Sequence, residues 1–209
     1  MPLPLRAISW RLPALSSESG WALIRNGVNG AVMHRLFVAL RPPRAMRERL
    51  LATMAGVPGA RWQEDEQLHL TLRFVGEVNR HLAEDFAAAF GSVRHPPIAV
   101  SLDRVGSFMR GSRGTVWAGV APHNALRSLH RSVEGACRRA GLPPESRSFH
   151  PHITLARLSR GAGSPTPFLE RWAGLTSPPV VIDSMILFES RLGSAGATYT
   201  SMARYPLVG

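Results

Sequence analysis

The sequence predicts a mixed α and β domain folded as two equivalent halves about a central groove. Three observations carry this. Strand-like and helix-like segments follow one another in the same order twice. The segment Phe37-Val-Ala-Leu-Arg-Pro42 has a counterpart, Trp117-Ala-Gly-Val-Ala-Pro122, 80 positions later. The tetrapeptide His69-Leu-Thr-Leu72 returns as His152-Ile-Thr-Leu155, 83 positions later. Such self-similarity marks an internal duplication of a supersecondary unit.

Apolar, β-branched or alternating runs predict strands near 35–40, 68–75, 98–105, 115–121, 151–158, 180–188 and 197–205. Helical spacing predicts helices near 43–55, 80–91, 124–140 and 167–173. The first helix opens on Pro43, carries Met46, Leu50 and Met54 on one stripe, and stops at Gly56. The third carries Leu126, Leu129, Val133 and Cys137 on one face, with Asn124 as its expected N-cap and Gly141 as its stop. The fourth rests only on Phe168, Leu169 and Trp172. The stretch from Gly106 to Gly114 reads as a basic, glycine-rich loop joining the halves. Each half then runs strand, proline turn, helix, connection, His-x-Thr strand, so the halves divide at about 33–110 and 111–209.

The chain of 209 residues, 44% of them hydrophobic, is long enough for one sizeable core shared by two lobes. Its formal charge is +11. That suits an acidic or nucleic-acid partner, although a GC-rich coding bias would produce the same arginine-only basicity. All 25 basic residues are arginine, so lysine chemistry such as Schiff-base formation is excluded. The single cysteine, Cys137, forbids a disulfide framework within the chain and sits at a core position. A reducing, cytoplasmic setting is expected. No apolar run of about 18 residues is present, so no transmembrane helix or membrane partner is expected.

Residues 1–32 differ from the rest. They contain Arg6, Arg11 and Arg25, several prolines and glycines, and no sustained period, and they lack the apolar core of a signal peptide. The expectation is a disordered extension, or an over-extended start with Met33 as initiator. The intact mass of the natively expressed protein distinguishes the two.

In a strand, alternate side chains share a face. His69 therefore points with Thr71, and His152 with Thr154. Two imidazoles and two hydroxyls on one cleft suit phosphoester chemistry. Imidazole titrates near neutrality and serves as acid or base, and hydroxyls can donate to the oxygens that gain charge in the transition state. An arginine could add a bidentate clamp. Two compete. Arg73 has the right face parity; Arg157, five residues after His152, points the wrong way unless a bulge re-aims it. Metal is the rival chemistry. His150-Pro151-His152 sets two imidazoles two apart, but no Cys, Asp or Glu of familiar spacing completes a ligand set. Phe74, Phe108 and Phe149 are candidates to stack a base.

These residues resemble the 2H phosphoesterase superfamily, specifically its RNA 2',3'-cyclic phosphodiesterases, also described as 2'-5' RNA ligases. The likeness includes Arg35-Leu-Phe-Val-Ala-Leu-Arg-Pro-Pro43, Leu68-His-Leu-Thr-Leu-Arg-Phe-Val-Gly-Glu77 and Val116-Trp-Ala-Gly-Val120. It continues through Phe149-His-Pro-His-Ile-Thr-Leu-Ala-Arg157, Leu187-Phe-Glu-Ser190 and Tyr199 to Leu207, covering residues 33–207. The resemblance implies an α+β fold of two pseudo-symmetric lobes, each an antiparallel sheet with helices packed outside, around a central cleft. It implies hydrolysis of a 2',3'-cyclic phosphate at an RNA or oligonucleotide 3' end to a 2'-phosphate, without metal or cofactor. It carries His69 over as proton donor, His152 as proton acceptor, and Thr71, Thr154 and Arg157 as phosphate contacts, with Arg73 secondary. A monomer is expected. The alternatives are 2'-5' RNA ligation in the same site, and a non-catalytic nucleotide-binding module.

Overall fold

The structure is a computed structural model and describes residues 33–193 and 196–209. The expectation for residues 1–32 lies outside the described residues. Among the described residues, nine strands and four α-helices follow one another: β1 (His34–Leu40), α1 (Arg44–Leu51), β2 (Ala60–Trp62), a 3-10 turn (Asp65–Gln67), β3 (Leu70–Val78), α2 (Arg80–Gly91), β4 (Ile98–Arg110), β5 (Arg113–Ala121), α3 (His123–Arg139), β6 (His152–Leu158), α4 (Thr166–Arg171), β7 (Val180–Ile182), β8 (Ser184–Gly193) and β9 (Gly196–Pro206).

All strand pairs are antiparallel, in the order β7-β4-β5-β6-β3-β1-β8-β9, with β2 on β6. Two four-stranded series, β3-β1-β8-β9 and β6-β5-β4-β7, mirror each other about the β3–β6 seam. That seam is a single pair, Leu70 opposite Ile153. Those are the equivalent positions of the two motifs, so the pseudo-two-fold passes between them.

The lobes do not coincide with the two halves of the chain. β4 lies in the second lobe, and β8 with β9 completes the first. The predicted strand at 180–188 is two strands broken at Asp183. β7 pairs with β4 and β8 pairs with β1, so the chain crosses between lobes there. The glycine-rich stretch expected as a loop is a hairpin: β4 runs on to Arg110, turns at Gly111 (φ 59°) and returns as β5. The short β2 had no sequence signal.

Helix ends follow capping chemistry. Asn79 Oδ1 accepts from Leu82 N at 3.0 Å to start α2. At the end of α3, Gly141 (φ 91°) lets Leu142 N reach Cys137 O at 2.9 Å and Gly141 N reach Arg138 O at 3.1 Å, a Schellman closure. Asn124, expected as N-cap, lies inside α3; Pro122 precedes the first turn instead. α2 and α3 pack on each other, with α3 on β3 and α2 on β1 and β9. Beneath them one apolar cluster runs through both lobes, including Leu36, Leu70, Leu129, Val116 and Ile153. On the opposite face of the sheet lies a smaller cluster of Phe37, Ala39, Ile186 and Phe188, with Tyr199 against it. Among the described residues, no helix is long and apolar enough to cross a membrane.

Candidate active site

Extending the Leu70–Ile153 register by one residue each way sets His69 opposite Thr154 and Thr71 opposite His152. Leu70 and Ile153 are about 1% exposed in the core, so these four polar side chains occupy the other face, at the bottom of the cleft between the lobes. The structure thus brings together both histidines and both threonines.

Each imidazole is fixed in the same way. His69 Nδ1 lies 2.6 Å from Gln67 O, and His152 Nδ1 lies 2.6 Å from His150 O. A carbonyl can only accept, so Nδ1 carries the proton in both and Nε2 faces the cleft. Gln67 is itself held. Its side chain accepts from Glu64 N at 3.0 Å and donates to Ala197 O at 2.7 Å. Asp65, in the same turn, accepts from Arg41 at 3.1 Å and Arg47 at 2.7 Å. His150, a candidate ligand by spacing, contributes its carbonyl to orient His152.

The rings sit among aromatics supplied by equivalent strands. His69 packs on Phe37 at 4.9 Å and edge-on to Tyr199 at 5.1 Å. His152 packs edge-on to Phe108 at 5.1 Å and against Trp117 at 6.1 Å. Phe37 and Trp117 are counterparts in the repeat. Burial, and then the positive charge of Arg157, hold the His69 imidazole down to about 4. Burial also lowers His152, although the hydrogen bond to the His150 carbonyl works against it. Both rings are therefore neutral at pH 7.

The two arginines part company at a β-bulge. Thr71 faces Ala39 and Arg73 faces Val38, leaving Leu72 unpaired; Thr154 faces Trp117 and Ala156 faces Val116, leaving Leu155 unpaired. The leucine ending each motif is thus the extra residue, and alternation flips beyond it. Arg157 comes out on the cleft face, where its charge acts on His69. It makes no ion pair among the described residues. Arg73, favoured by simple parity, turns to the helix side instead. It is 8% exposed and bonds Glu134 (2.7 Å), Glu145 (3.2 Å) and Pro143 O (2.6 Å). It is a structural clamp, not part of the cleft.

A cavity of about 260 Å³ adjoins His152, lined by Phe108, Trp117, Arg104, Arg127, His123 and His150 among others. Spacing did not single out Trp117 or Tyr199 as ring neighbours of the histidines; the repeat offset from Phe37 could have found Trp117. Of the stacking candidates, Phe74 (49%) and Phe108 (41%) are exposed, while Phe149 stacks on His130 at 4.2 Å against the core. Cys137 is buried, its thiol pushed up to about 12, and is no nucleophile. Among the described residues, no group of three His, Cys, Asp or Glu side chains could hold a metal ion.

A two-lobed antiparallel sheet presenting one His-x-Thr pair from each lobe into a single cleft defines the 2H phosphoesterase class. The model of the 2'-5' RNA ligase superfamily matches residues 39–193, and the chain belongs to that family. It is 33% identical to the RNA 2',3'-cyclic phosphodiesterase of Aeropyrum pernix over 151 residues, 70% of this chain and 85% of that one. It is 29% identical to that of Escherichia coli over 177 residues, 83% of this chain and 96% of that one. The crystal structure of Escherichia coli LigT complexed with 3'-AMP superposes with a TM-score of 0.70 at 28% identity, covering 85% of this chain and all (100%) of that one.

Proposed function

We propose that the protein hydrolyses 2',3'-cyclic phosphate ends of RNA or oligonucleotides to 2'-phosphates by two-histidine acid–base catalysis. The observation that carries this is the pair of Nδ1-anchored imidazoles, each opposite the other motif's threonine. In this reading the cyclic phosphate lies between the two Nε2 atoms. Water attacks phosphorus and gives its proton to Nε2 of His152. The bond from phosphorus to the 3' oxygen breaks, and His69 Nε2–H protonates that oxygen. Thr71, Thr154 and Arg157 donate to the non-bridging oxygens as charge builds on them.

The acid role requires His69 to enter the reaction as imidazolium, with a proton gained on Nε2. A bound phosphate anion offsets the charge of Arg157, which holds the His69 imidazole down, and so favours that uptake. We place the reaction in the cytoplasm, carried out by a monomer.

The test is turnover of an oligoribonucleotide ending in a 2',3'-cyclic phosphate, in EDTA. Wild type is expected to leave a 2'-phosphate, with His69→Ala and His152→Ala each slower by about 10²–10⁴-fold while still binding nucleotide. A substrate with sulfur in place of the 3' oxygen needs no leaving-group protonation, so it is expected to rescue His69→Ala and not His152→Ala. No conversion by folded wild type would point to a binding module. Activity lost only in EDTA would overturn the metal-free mechanism.

A further inference from the structure

We infer that a second phosphate site, for the phosphodiester one nucleotide upstream of the cyclic end, lies beside the His69 side of the cleft. A cavity of about 340 Å³ there is lined by Arg41, Arg47 and Arg204, with Asp183, Ser184 and Ile186. The inference rests on the proposed hydrolysis and on His69 as the acid. If His69 protonates the 3' oxygen, the ribose and the strand behind it leave the site on the His69 side.

The cavity borders that side through Ile186. Ile186 belongs to the same apolar cluster as Phe37 and Phe188, on which the His69 ring sits. The charge of Arg41 is felt at His69 itself. Arg41, Arg47 and Arg204 share that lining with one carboxylate, Asp183. Asp65 binds Arg41 and Arg47, while Glu66 also acts on Arg41 and Arg44 on Asp65. Arg204 is within ion-pair distance of no carboxylate among the described residues. Its NH1 donates to Ser184 Oγ at 2.7 Å, and Ser184 Oγ donates in turn to Asp183 Oδ1 at 2.9 Å. The guanidinium is thus aimed by a neutral hydroxyl with donors to spare. With Arg41 and Arg47 both held by Asp65, Arg204 is the guanidinium of the lining that no carboxylate pairs among the described residues, and a bound anion supplies its partner. Guanidinium binds phosphate oxygens bidentately.

The discriminating substrates are a 2',3'-cyclic mononucleotide, a dinucleotide with the same cyclic end, and that dinucleotide with a neutral methylphosphonate link. Wild type is expected to favour the charged dinucleotide in kcat/KM by about tenfold over both others. Arg204→Gln is expected to abolish that preference while turning over the mononucleotide as wild type does, and Arg204→Lys to restore part of it. Equal kcat/KM for the charged and neutral dinucleotides in wild type would overturn the site. So would a preference that survives in folded Arg204→Gln, or a loss equal on all three substrates. Failure of wild type to open any of the three would instead overturn the hydrolase reading. Inorganic phosphate inhibiting mononucleotide and dinucleotide turnover alike would show binding at the catalytic cleft only and count against a second site.

Discussion

Arg73 and Arg157 each follow a His-x-Thr-Leu motif, and their environments assign them opposite tasks. Arg73 is enclosed by two carboxylates and two carbonyls. Arg73→Ala removes the guanidinium that Glu134, Glu145 and Pro143 O share and is expected to destabilise by about 3 kcal/mol in urea unfolding. Arg157→Ala breaks no ion pair, so it is expected to stay within about 0.5 kcal/mol of wild type yet lose about 10²-fold in kcat. The reverse pattern would return the phosphate clamp to Arg73. His69 makes a separate, pH-dependent prediction. Its value in the fold, about 4, lies below the ordinary 6.5. As pH falls through 6.5 the unfolded chain takes up a proton that the folded protein refuses until about 4, so its contribution to stability is complete above 6.5 and is lost across that window. His69→Gln is expected to flatten the urea midpoint between pH 7 and 4.5. His130 and His152, lowered in the same direction by burial, leave a residual slope. An unchanged slope in the variant would show that His69 titrates normally.

At the level of elements, the motif strands were legible because period-2 patterning and the repeated tetrapeptide both survive in the text. The bulges at Leu72 and Leu155 were not. A bulge is a mismatch of register between two strands, and one strand's sequence records only its own alternation. Parity therefore favoured Arg73, and only the likeness to a known family pointed to Arg157. The break at Asp183 was hidden for a similar reason: Val180–Ile182 and Met185–Phe188 are apolar runs parted only by Asp183 and Ser184, which read as one strand in sequence, and only their partners differ. The β4–β5 hairpin was masked by its glycines, which read as loop. Gly106 is there because the Trp117 ring lies against its Cα, where a Cβ would collide with it. Trp117 in turn walls the cavity beside His152. Gly106→Ala is therefore expected to cost about 1–3 kcal/mol through overpacking and to slow turnover by displacing Trp117. A variant with wild-type melting and rate would mean that the hairpin absorbs the methyl group.

For the whole molecule, the question is what holds two lobes in register across a seam of one paired residue on each side. Hydrogen bonding at Leu70–Ile153 is too little. The continuous apolar cluster beneath it, which takes residues from both lobes and from α2 and α3, supplies the rest. The exchange of β4 against β8 and β9 adds to this, because neither lobe can be completed by one half of the chain. Separate unfolding of the lobes would expose that shared core, so a single transition is expected. Ile153→Ala, at the pivot, is expected to destabilise by about 2–5 kcal/mol. The loss should register equally by tryptophan fluorescence, to which Trp62 and Trp117 on the second lobe contribute, and by far-ultraviolet circular dichroism, to which α2 and α3 over the first contribute. Equal shifts would mean that the cleft geometry, and with it the facing of His69 on Thr154 and His152 on Thr71, is a property of the whole core. A fluorescence transition displaced from the dichroism one would mean that the lobes part first, and that the His–Thr pairings are held by the seam alone.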